Sequence, residues 1–300
     1  MAEANDLPHA EALCEEVFDD LTDNMSHHTI NRASRPTGFS DFDKLTGGLA
    51  PGTLTVIASR PGIGRTTLLT DICRANAVKD LHGTNEKHLA PTAVFTLEES
   101  RTDMACRILS AEARVVLHRL RAGTLNDDEW NRVNKRLPAV QAAPLYIHAP
   151  GRLTLAELAH KASVAVQECG VRLIALDGIQ DVKPNQRNDL REREVGDTVR
   201  ELKTLARELD VPILATSHLN RGPEQRPDRW PMLDDLRESG AVTFAADIIV
   251  LIHRPDAYDW ESPRAGEADL IVAKHRQGPT ARVTVAAQLH YSRFVDMAQT

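Results

Sequence analysis

The chain has 300 residues and a formal net charge of −7, with 42% hydrophobic and 26% charged residues, which excludes a wholly disordered protein. No run approaches the ~18 consecutive apolar residues of a membrane helix, and the N-terminus lacks the basic and apolar regions of a secretory signal. We therefore expect a soluble, cytoplasmic protein with no membrane segment. The four cysteines form no CxxC pair, so we expect buried free thiols rather than a zinc site or disulfides.

The negative charge is concentrated at the N-terminus. Eight acidic residues and no Lys or Arg occur in the first 24 positions, so the remaining chain is close to neutral. Leu13, Val17 and Leu21, spaced four apart, predict an amphipathic helix, which must pack on its own body or on a neighbouring subunit to bury its apolar stripe. We treat residues 1–34 as an acidic leader helix with a polar linker, and residues 35–300 as one domain.

Beyond residue 50, short apolar runs alternate with helical stretches. Strands are predicted at 53–58, 93–97, 145–148, 172–176, 212–216 and 247–252. Helices are predicted at 66–79, 101–118, 127–136, 155–168 and 195–209. Apolar strands separated by helices are typical of an α/β fold, a mostly parallel twisted sheet with helices on both faces. The runs 269–274 and 282–287, separated by a turn at 277–279, predict an antiparallel C-terminal hairpin on the sheet edge.

The first predicted strand leads into a glycine-containing loop followed by a helix. This order of elements is the context of a phosphate-binding loop, in which backbone N–H groups and the helix N-terminus hold phosphate oxygens. The loop residues are Ser59, Arg60, Pro61, Gly62, Ile63, Gly64, Arg65, Thr66 and Thr67. An ordinary strand–turn–helix with no ligand is the alternative interpretation.

Two positions of the loop differ from the GxxxxGK[ST] pattern. Ser59 replaces the first glycine, where a small residue suffices, and Arg65 replaces the lysine. Lysine contacts the β- and γ-phosphates as a compact charge, whereas arginine is a broad planar fork. From the loop alone we expect nucleotide binding and poor hydrolysis.

Two acidic residues follow predicted strands. Asp177 comes directly after the run 172–176, which is the pattern of a Walker B aspartate. Glu98 ends the run 93–97, where a carboxylate can activate an attacking water. The alternative for Glu98 is a helix-capping acid together with Glu99 and Ser100.

Further segments carry a resemblance to known families. The segments Thr37-Gly38-Phe39, Asp43, Gly47-Gly48-Leu49 and Gly52 resemble the beginning of RecA-type ATPase cores. The segments Ser217-His218-Leu219-Asn220-Arg221 and Asp235-Leu236-Arg237-Glu238-Ser239-Gly240 resemble signature segments of the DnaB-type replicative helicases. Lys274-His275-Arg276-Gln277-Gly278-Pro279 is similar to the KxRxGP segment of that family. The resemblance is collinear from about residue 35 to about residue 297, so it implies a RecA-like P-loop NTPase core.

The resemblance implies a role for each matching residue. Thr66 and Asp177 would hold Mg²⁺, and Glu98 would be the catalytic base. Lys274 and Arg276 would project into the nucleotide site of the neighbouring subunit, with Arg276 as the arginine finger. An ATP-dependent helicase in DNA replication is thus implied, a homo-oligomer in the form of a hexameric ring, with single-stranded DNA and a primase or helicase loader as partners.

Two loops are implied to contact DNA. Arg237, Glu238 and Gly240 would line the ring channel, and a second loop would carry Lys183, Arg187, Arg191 and Arg193. A solvated charged face is an equal alternative for the second loop, because Asp189 and Glu192 are interspersed. Aromatic residues are only 4% of the chain, so we expect sequence-independent contacts to the DNA backbone rather than base stacking.

The chain departs from the DnaB-type pattern in three places. Besides Arg65, His218 stands where the family has the glutamine that senses the γ-phosphate, and its charge would change near neutral pH. Only the acidic leader precedes the core, so the family's N-terminal domain is expected to be absent. The leader helix would then take the part of the family's linker helix.

Three functional hypotheses remain open from the sequence. The first is an active DNA helicase, favoured by Glu98, Asp177, Arg276 and the DLRESG segment. The second is a catalytically impaired nucleotide- and DNA-binding ring protein that regulates or partners an active helicase, favoured by Arg65 and His218. A recombination or clock-type ATPase is the third, and the DLRESG and KxRxGP segments argue against it.

Overall fold

The computed structural model describes residues 34–80, 85–184, 191–236 and 239–297. The predicted leader helix lies outside these ranges, as do three residues of the expected DNA contacts, Arg187, Arg237 and Glu238. Within the described ranges, no helix has the length and apolar character needed to cross a bilayer.

The core is one nine-stranded sheet in the order β3-β2-β4-β5-β1-β6-β7-β8-β9. The strands are β1 Leu54–Ser59, β2 Thr92–Thr96, β3 Leu145–His148, β4 Leu173–Asp177, β5 Ile213–His218, β6 Ile248–His253, β7 Glu267–His275, β8 Arg282–Gln288 and β9 Arg293–Asp296. Strands β1 to β6 pair in parallel and β6 to β9 pair antiparallel. The predicted mostly parallel α/β sheet is therefore confirmed.

Helices cover both faces of this sheet. They are α1 Ser40–Thr46, α2 Arg65–Ala77, α3 Arg101–Ala113, α4 Leu117–Ala122, α5 Asp127–Gln141, α6 Leu155–Cys169, α7 Arg191–Leu209, α8 Gly222–Gln225 and α9 Ser239–Ala245. Along β1, Leu54 and Val56 face a core cluster shared with α6, α7 and α9, whereas Ile57 faces a cluster shared with α1, α2 and α3. Alternate residues of a strand point to opposite faces, so β1 is buried on both.

Three details differ from expectation. The predicted helix 101–118 is broken: α3 ends where Arg114 takes the left-handed conformation (φ 53°), and α4 begins at Leu117. The predicted antiparallel hairpin forms as β7 and β8, but it does not lie at the side of the sheet. The additional strand β9 pairs with β8 and is the outermost strand on that side. Among the described cysteines, Cys73 is buried as expected, Cys106 is half-buried and Cys169 is exposed.

Candidate nucleotide-binding site

Four strand ends bring the predicted catalytic residues together. Strand β5 lies between β1 and β4, and β2 lies on the far side of β4. These strands are parallel, so their carboxyl ends lie side by side, and ligands of open α/β sheets bind there. We call this end of the strands the carboxyl edge of the sheet. The phosphate loop follows β1, Glu98 follows β2, Asp177 ends β4 and His218 ends β5.

The phosphate loop has the open backbone that a phosphate group requires. Gly62 and Gly64 take positive φ angles of 78° and 120°, and a Cβ on Gly62 would meet nothing within 4 Å. The loop ends at the N-terminus of α2, whose first N–H groups lack helical partners and attract anions. A cleft of about 300 Å³ lies against the loop, with Glu98, Glu99 and Arg107 on its other walls.

Asp177 and Thr66 are in direct contact. The Thr66 hydroxyl donates to Asp177, with Oγ1 3.0 Å from Oδ2, and the Thr216 hydroxyl donates to the other carboxylate oxygen at 2.7 Å. Asp177 is fully buried, and burial raises the pKa of its carboxyl, against the opposing effect of the threonine hydroxyls. A hydroxyl beside a buried carboxylate, next to a phosphate cradle, is a suitable pair of oxygen ligands for Mg²⁺.

Arg65 points to Glu98. Its Nη2 lies 2.5 and 2.8 Å from the two carboxylate oxygens of Glu98, and its side chain is only 8% exposed. The buried Nε of Arg65 has no hydrogen-bond partner among the described residues. The guanidinium therefore pairs with the carboxylate that was predicted to activate water. Ser100, rather than Glu98, caps α3, so the helix-capping alternative for Glu98 is wrong.

The two residues that depart from the DnaB-type pattern contact each other. Nη1 of Arg65 lies 2.7 Å from Nδ1 of His218. Nη2 of Arg65 lies 3.1 Å from Nε2 of the same ring, and that nitrogen is 3.4 Å from the Glu98 carboxylate, so the guanidinium faces both ring nitrogens. The hydrogen bond from His218 holds the pKa of Glu98 below its usual range, and the charge of Arg65 acts in the same direction.

Sequence reasoning missed several polar neighbours of this cluster. Asp181 offers a carboxylate oxygen within 4.8 Å of donor atoms of Glu98 and His218, so these three residues form a potential cation site that the Arg65 guanidinium adjoins. Burial and the charge of Glu98 raise the pKa of Asp181. Gln180 donates to Ser217 at 2.9 Å. The sequence signal available for Gln180 and Asp181 was their position just after the Walker B strand.

Two loop residues point away from the cradle. Arg60 donates to the carbonyl of Leu219 at 2.9 Å and pairs with Glu224 at 2.7 Å. The Ser59 hydroxyl donates to the carbonyl of Arg60. In this structure Arg60 therefore does not replace the missing lysine.

Lys274 lies at the other end of the strands, where the parallel strands begin, which we call the amino edge of the sheet. Strand β7 runs antiparallel to β6, so its end pairs with Ile248, the first residue of β6. The ammonium of Lys274 donates to the carbonyls of Thr243 and Ala246, both at 2.6 Å, at the C-terminus of α9. Cations are favoured at the negative end of a helix.

Arg276 lies beside Lys274 and remains half exposed. Its Nε pairs with Asp247 at 3.0 Å, and its Nη2 donates to the carbonyl of Phe244. Asp247 also receives hydrogen bonds from Lys203 and from the backbone of Leu54. Because this edge lies a full strand length from the phosphate loop of the same chain, Arg276 cannot contact that loop within one subunit.

Four of the expected DNA-contacting residues are described. Gly240 lies exposed in α9, Lys183 follows the Walker B strand, and Arg191 and Arg193 begin α7. Arg191 pairs with Glu194 at 2.7 Å and is 43% exposed. The structure leaves the role of these four residues a prediction.

The fold and the site place the chain in the class of RecA-like ATPase cores. A solved ATPase domain that is 26% identical superposes with a TM-score of 0.87, covering 98% of this chain and 100% of that chain. The model of the DnaB-like helicase C terminal domain matches residues 35–296. The chain therefore belongs to the DnaB-like helicase C-terminal domain family.

Relatives with longer chains agree with this assignment. The replicative DNA helicase DnaB of Leifsonia xyli subsp. xyli (strain CTCB07) is 44% identical over 97% of this chain, which spans 62% of that protein. The replicative DNA helicase DnaC of Bacillus subtilis (strain 168) is 35% identical over 87% of this chain and 56% of its own length. A DnaB-like replicative helicase, solved in a study of its interactions with primase, is 27% identical with a TM-score of 0.83 and covers 99% of this chain and 69% of its own.

Proposed function

We propose that this chain is the motor domain of an ATP-dependent replicative DNA helicase. The observation that carries the proposal is the contact of Thr66 with the buried Asp177, beside Glu98 and the phosphate loop, in a chain that belongs to a helicase family from residue 35 to 296. The loop from Ser59 to Thr67 would hold the phosphates of ATP. Thr66 and Asp177 would hold Mg²⁺, which when bound neutralises charge on the phosphates.

Glu98 is the proposed general base. A carboxylate that accepts a proton from water must be ionised, and the lowered pKa of Glu98 keeps it so at neutral pH. Its two carboxylate oxygens accept hydrogen bonds from Arg65. Arg65 must therefore leave Glu98 before water is activated, and phosphate oxygens offer its guanidinium an alternative partner.

The positions of the charged residues support a ring of identical subunits. Each subunit carries a phosphate cradle at one edge of its sheet and the exposed Arg276 at the opposite edge. Head-to-tail contacts between copies, which close into rings, would place Arg276 of one copy at the cradle of the next. We propose a hexamer in which Arg276 is the arginine finger, with Lys274 beside it.

Single-stranded DNA would pass through the ring. Lys183, Arg191, Arg193 and Gly240 belong to the proposed channel contacts, together with Arg187, Arg237 and Glu238. Contacts of this kind to the DNA backbone are independent of sequence and weaken with salt. A primase is a further proposed partner, because the DnaB-like replicative helicase noted above was solved in a study of its interactions with primase.

The proposal is tested by steady-state ATP turnover with and without single-stranded DNA, on the unmodified chain and on Arg65→Lys. DNA-stimulated turnover above ~1 s⁻¹ in the unmodified chain is the expected result. Turnover that appears only in Arg65→Lys identifies a motor silenced at one position. If both proteins bind nucleotide and neither hydrolyses it, the motor proposal fails.

Unwinding of a forked duplex is the second readout. Asp177→Asn serves as the control, since it removes the buried carboxylate that contacts Thr66 while keeping its size. The expected result is unwinding by the unmodified chain and none by the control. Equal strand separation by both proteins would show passive binding of single strands.

A further inference from the structure

A second cleft lies behind the phosphate-loop helix. It has a volume of about 490 Å³, within the range of small-molecule sites, and is larger than the cleft at the loop. The second half of α2 forms one wall, through Asp71 and Arg74, and β9 forms another. The first turn of the same helix faces the phosphate loop, so the two clefts lie at different ends of α2.

Two of the four acidic residues that line this cleft are paired with arginines of the same chain. Glu112 pairs with both Arg74 and Arg136. Asp71 pairs with Arg74 at 2.5 Å and accepts the backbone N–H of Phe294 at 2.6 Å. The carboxylates of Asp71 and Glu112 are thus committed to Arg74 and Arg136, whereas Asp80 and Asp296 line other parts of the cleft, where Asp296 accepts the backbone N–H of Ser40.

Two further arginines line the cleft, and neither has a carboxylate partner among the residues that the structure describes. Arg114 is exposed, and its guanidinium has no hydrogen bond or ion pair within the described part of the chain. Arg293 donates through Nε to Gln288 at 2.8 Å, and its two terminal nitrogens have no partner among the described residues. Burial and the charges of Arg114 and Arg74 lower the pKa of Arg293, so these guanidinium groups repel one another.

The backbone supports this placement of both arginines. Arg114 itself and Ser292, which precedes Arg293, take the left-handed conformation at φ 53°. This conformation is unfavourable for residues other than glycine and occurs often at ligand sites. Arg114 ends α3 and Ser292 ends the short turn at 289–291, so both arginines lie at the cleft where a helical segment stops.

We propose that this cleft is a second anion site, which binds a small phosphorylated molecule through Arg114 and Arg293. Arginine forks match phosphate oxygens bidentately, and a concave cleft of this size accepts a molecule of nucleotide dimensions. The bound anion would relieve the repulsion among Arg74, Arg114 and Arg293.

A ligand bound in this cleft would affect the phosphate loop through β9. Phe294 lines the cleft, and its ring lies so close to Gly64 that a Cβ there would be 2.7 Å from it. A ligand beside Phe294 therefore adjoins a side chain that supports the loop. The site would act as an effector site of the ATPase, distinct from the nucleotide site.

The test is calorimetric titration with inorganic pyrophosphate in the absence of Mg²⁺. Arg114→Asn combined with Arg293→Gln should weaken binding about tenfold or more, since each removes a charged hydrogen-bond donor. Asparagine tolerates the left-handed backbone at position 114, so the fold is retained. The matched control, Arg132→Gln with Arg172→Gln, removes the same charge from exposed positions elsewhere and should leave binding unchanged.

Gly62→Asp separates this site from the phosphate loop, because it places a negative charge in the cradle where nothing lies within 4 Å. Pyrophosphate binding that survives Gly62→Asp, is lost in the Arg114/Arg293 variant and returns with Arg114→Lys and Arg293→Lys supports the proposal. Binding that is lost with Gly62→Asp and unchanged in the Arg114/Arg293 variant overturns it, as does the absence of binding. The titration uses neither ATP nor DNA, so its outcome is independent of the proposed motor function.

Discussion

The two edges of the sheet hold their charged residues in different ways. At the carboxyl edge, the charges face one another within the chain: Arg65 pairs with Glu98 and contacts His218. At the amino edge, Lys274 donates to main-chain carbonyls and Arg276 stays 49% exposed. The first edge carries a cradle for anions and the second carries an unburied cation. Arg276 is also paired with Asp247, so the difference lies in exposure: the carboxyl edge buries its arginine, and the amino edge leaves one accessible, as the proposed contact with a second copy requires.

The largest expected effect is at the amino edge. Arg276→Ala should reduce ATP turnover about a thousandfold relative to the unmodified chain, because an arginine finger stabilises charge on the transferred phosphoryl group. Nucleotide binding should change little. Steady-state turnover at saturating ATP and DNA checks this prediction.

Mixing two variants decides whether Arg276 acts on a second copy. Arg276→Ala retains Glu98, and Glu98→Gln retains Arg276, so an interface between the two in a mixed ring contains one intact site. Turnover above that of either variant alone is expected. Mixtures as inactive as their components would show that Arg276 does not act across an interface.

A somewhat smaller effect is expected at the carboxyl edge. Glu98→Gln should lower turnover about a hundredfold, since an amide cannot take the proton from water. It also removes the ion pair with Arg65, so nucleotide affinity should be retained or increased. Turnover and the affinity for a fluorescent nucleotide are measured together, and a parallel loss of both would contradict the role assigned to Glu98.

Arg65→Lys tests the contacts of Arg65 with Glu98 and His218 at the carboxyl edge. A single ammonium cannot hold both oxygens of Glu98 and also contact His218, so turnover should rise about tenfold. Combining it with His218→Gln should give a non-additive change, with a coupling of about 0.5 kcal/mol or more for residues in contact. The exposed Arg132→Lys is the matched control, and additive effects of the two site variants would argue against the contact.

The smallest expected effect concerns the stability of the amino edge. Lys274→Met removes a charged donor from the carbonyls of Thr243 and Ala246, and should lower the free energy of unfolding by about 1–3 kcal/mol. The midpoint of urea unfolding measures it. An unchanged midpoint would mean that water replaces the ammonium at these carbonyls without cost.

The sequence predicted the sheet and the strand-end positions of Glu98 and Asp177 because both depend on local patterns, whereas His218 was singled out only by the family resemblance. Apolar runs define strands, and parallel strands end at the same edge. The contact of Arg65 with His218 joins residues 153 positions apart, and the sequence gives no signal for such a pairing. Strand β9 was missed because only Phe294 and Val295 are apolar in it and both of its end residues are charged, so it has no apolar run.

The close approach of Phe294 to Gly64 affects when the nucleotide site can form during synthesis. Phe294 of β9 donates its backbone N–H to Asp71 of the phosphate-loop helix, and these two residues lie 223 positions apart in the chain. The loop emerges from the ribosome long before the strand that supports it, and domains fold as units once their chain is available. A nascent chain that has exposed the loop therefore lacks the contact of Phe294 with Gly64 until β9 has emerged.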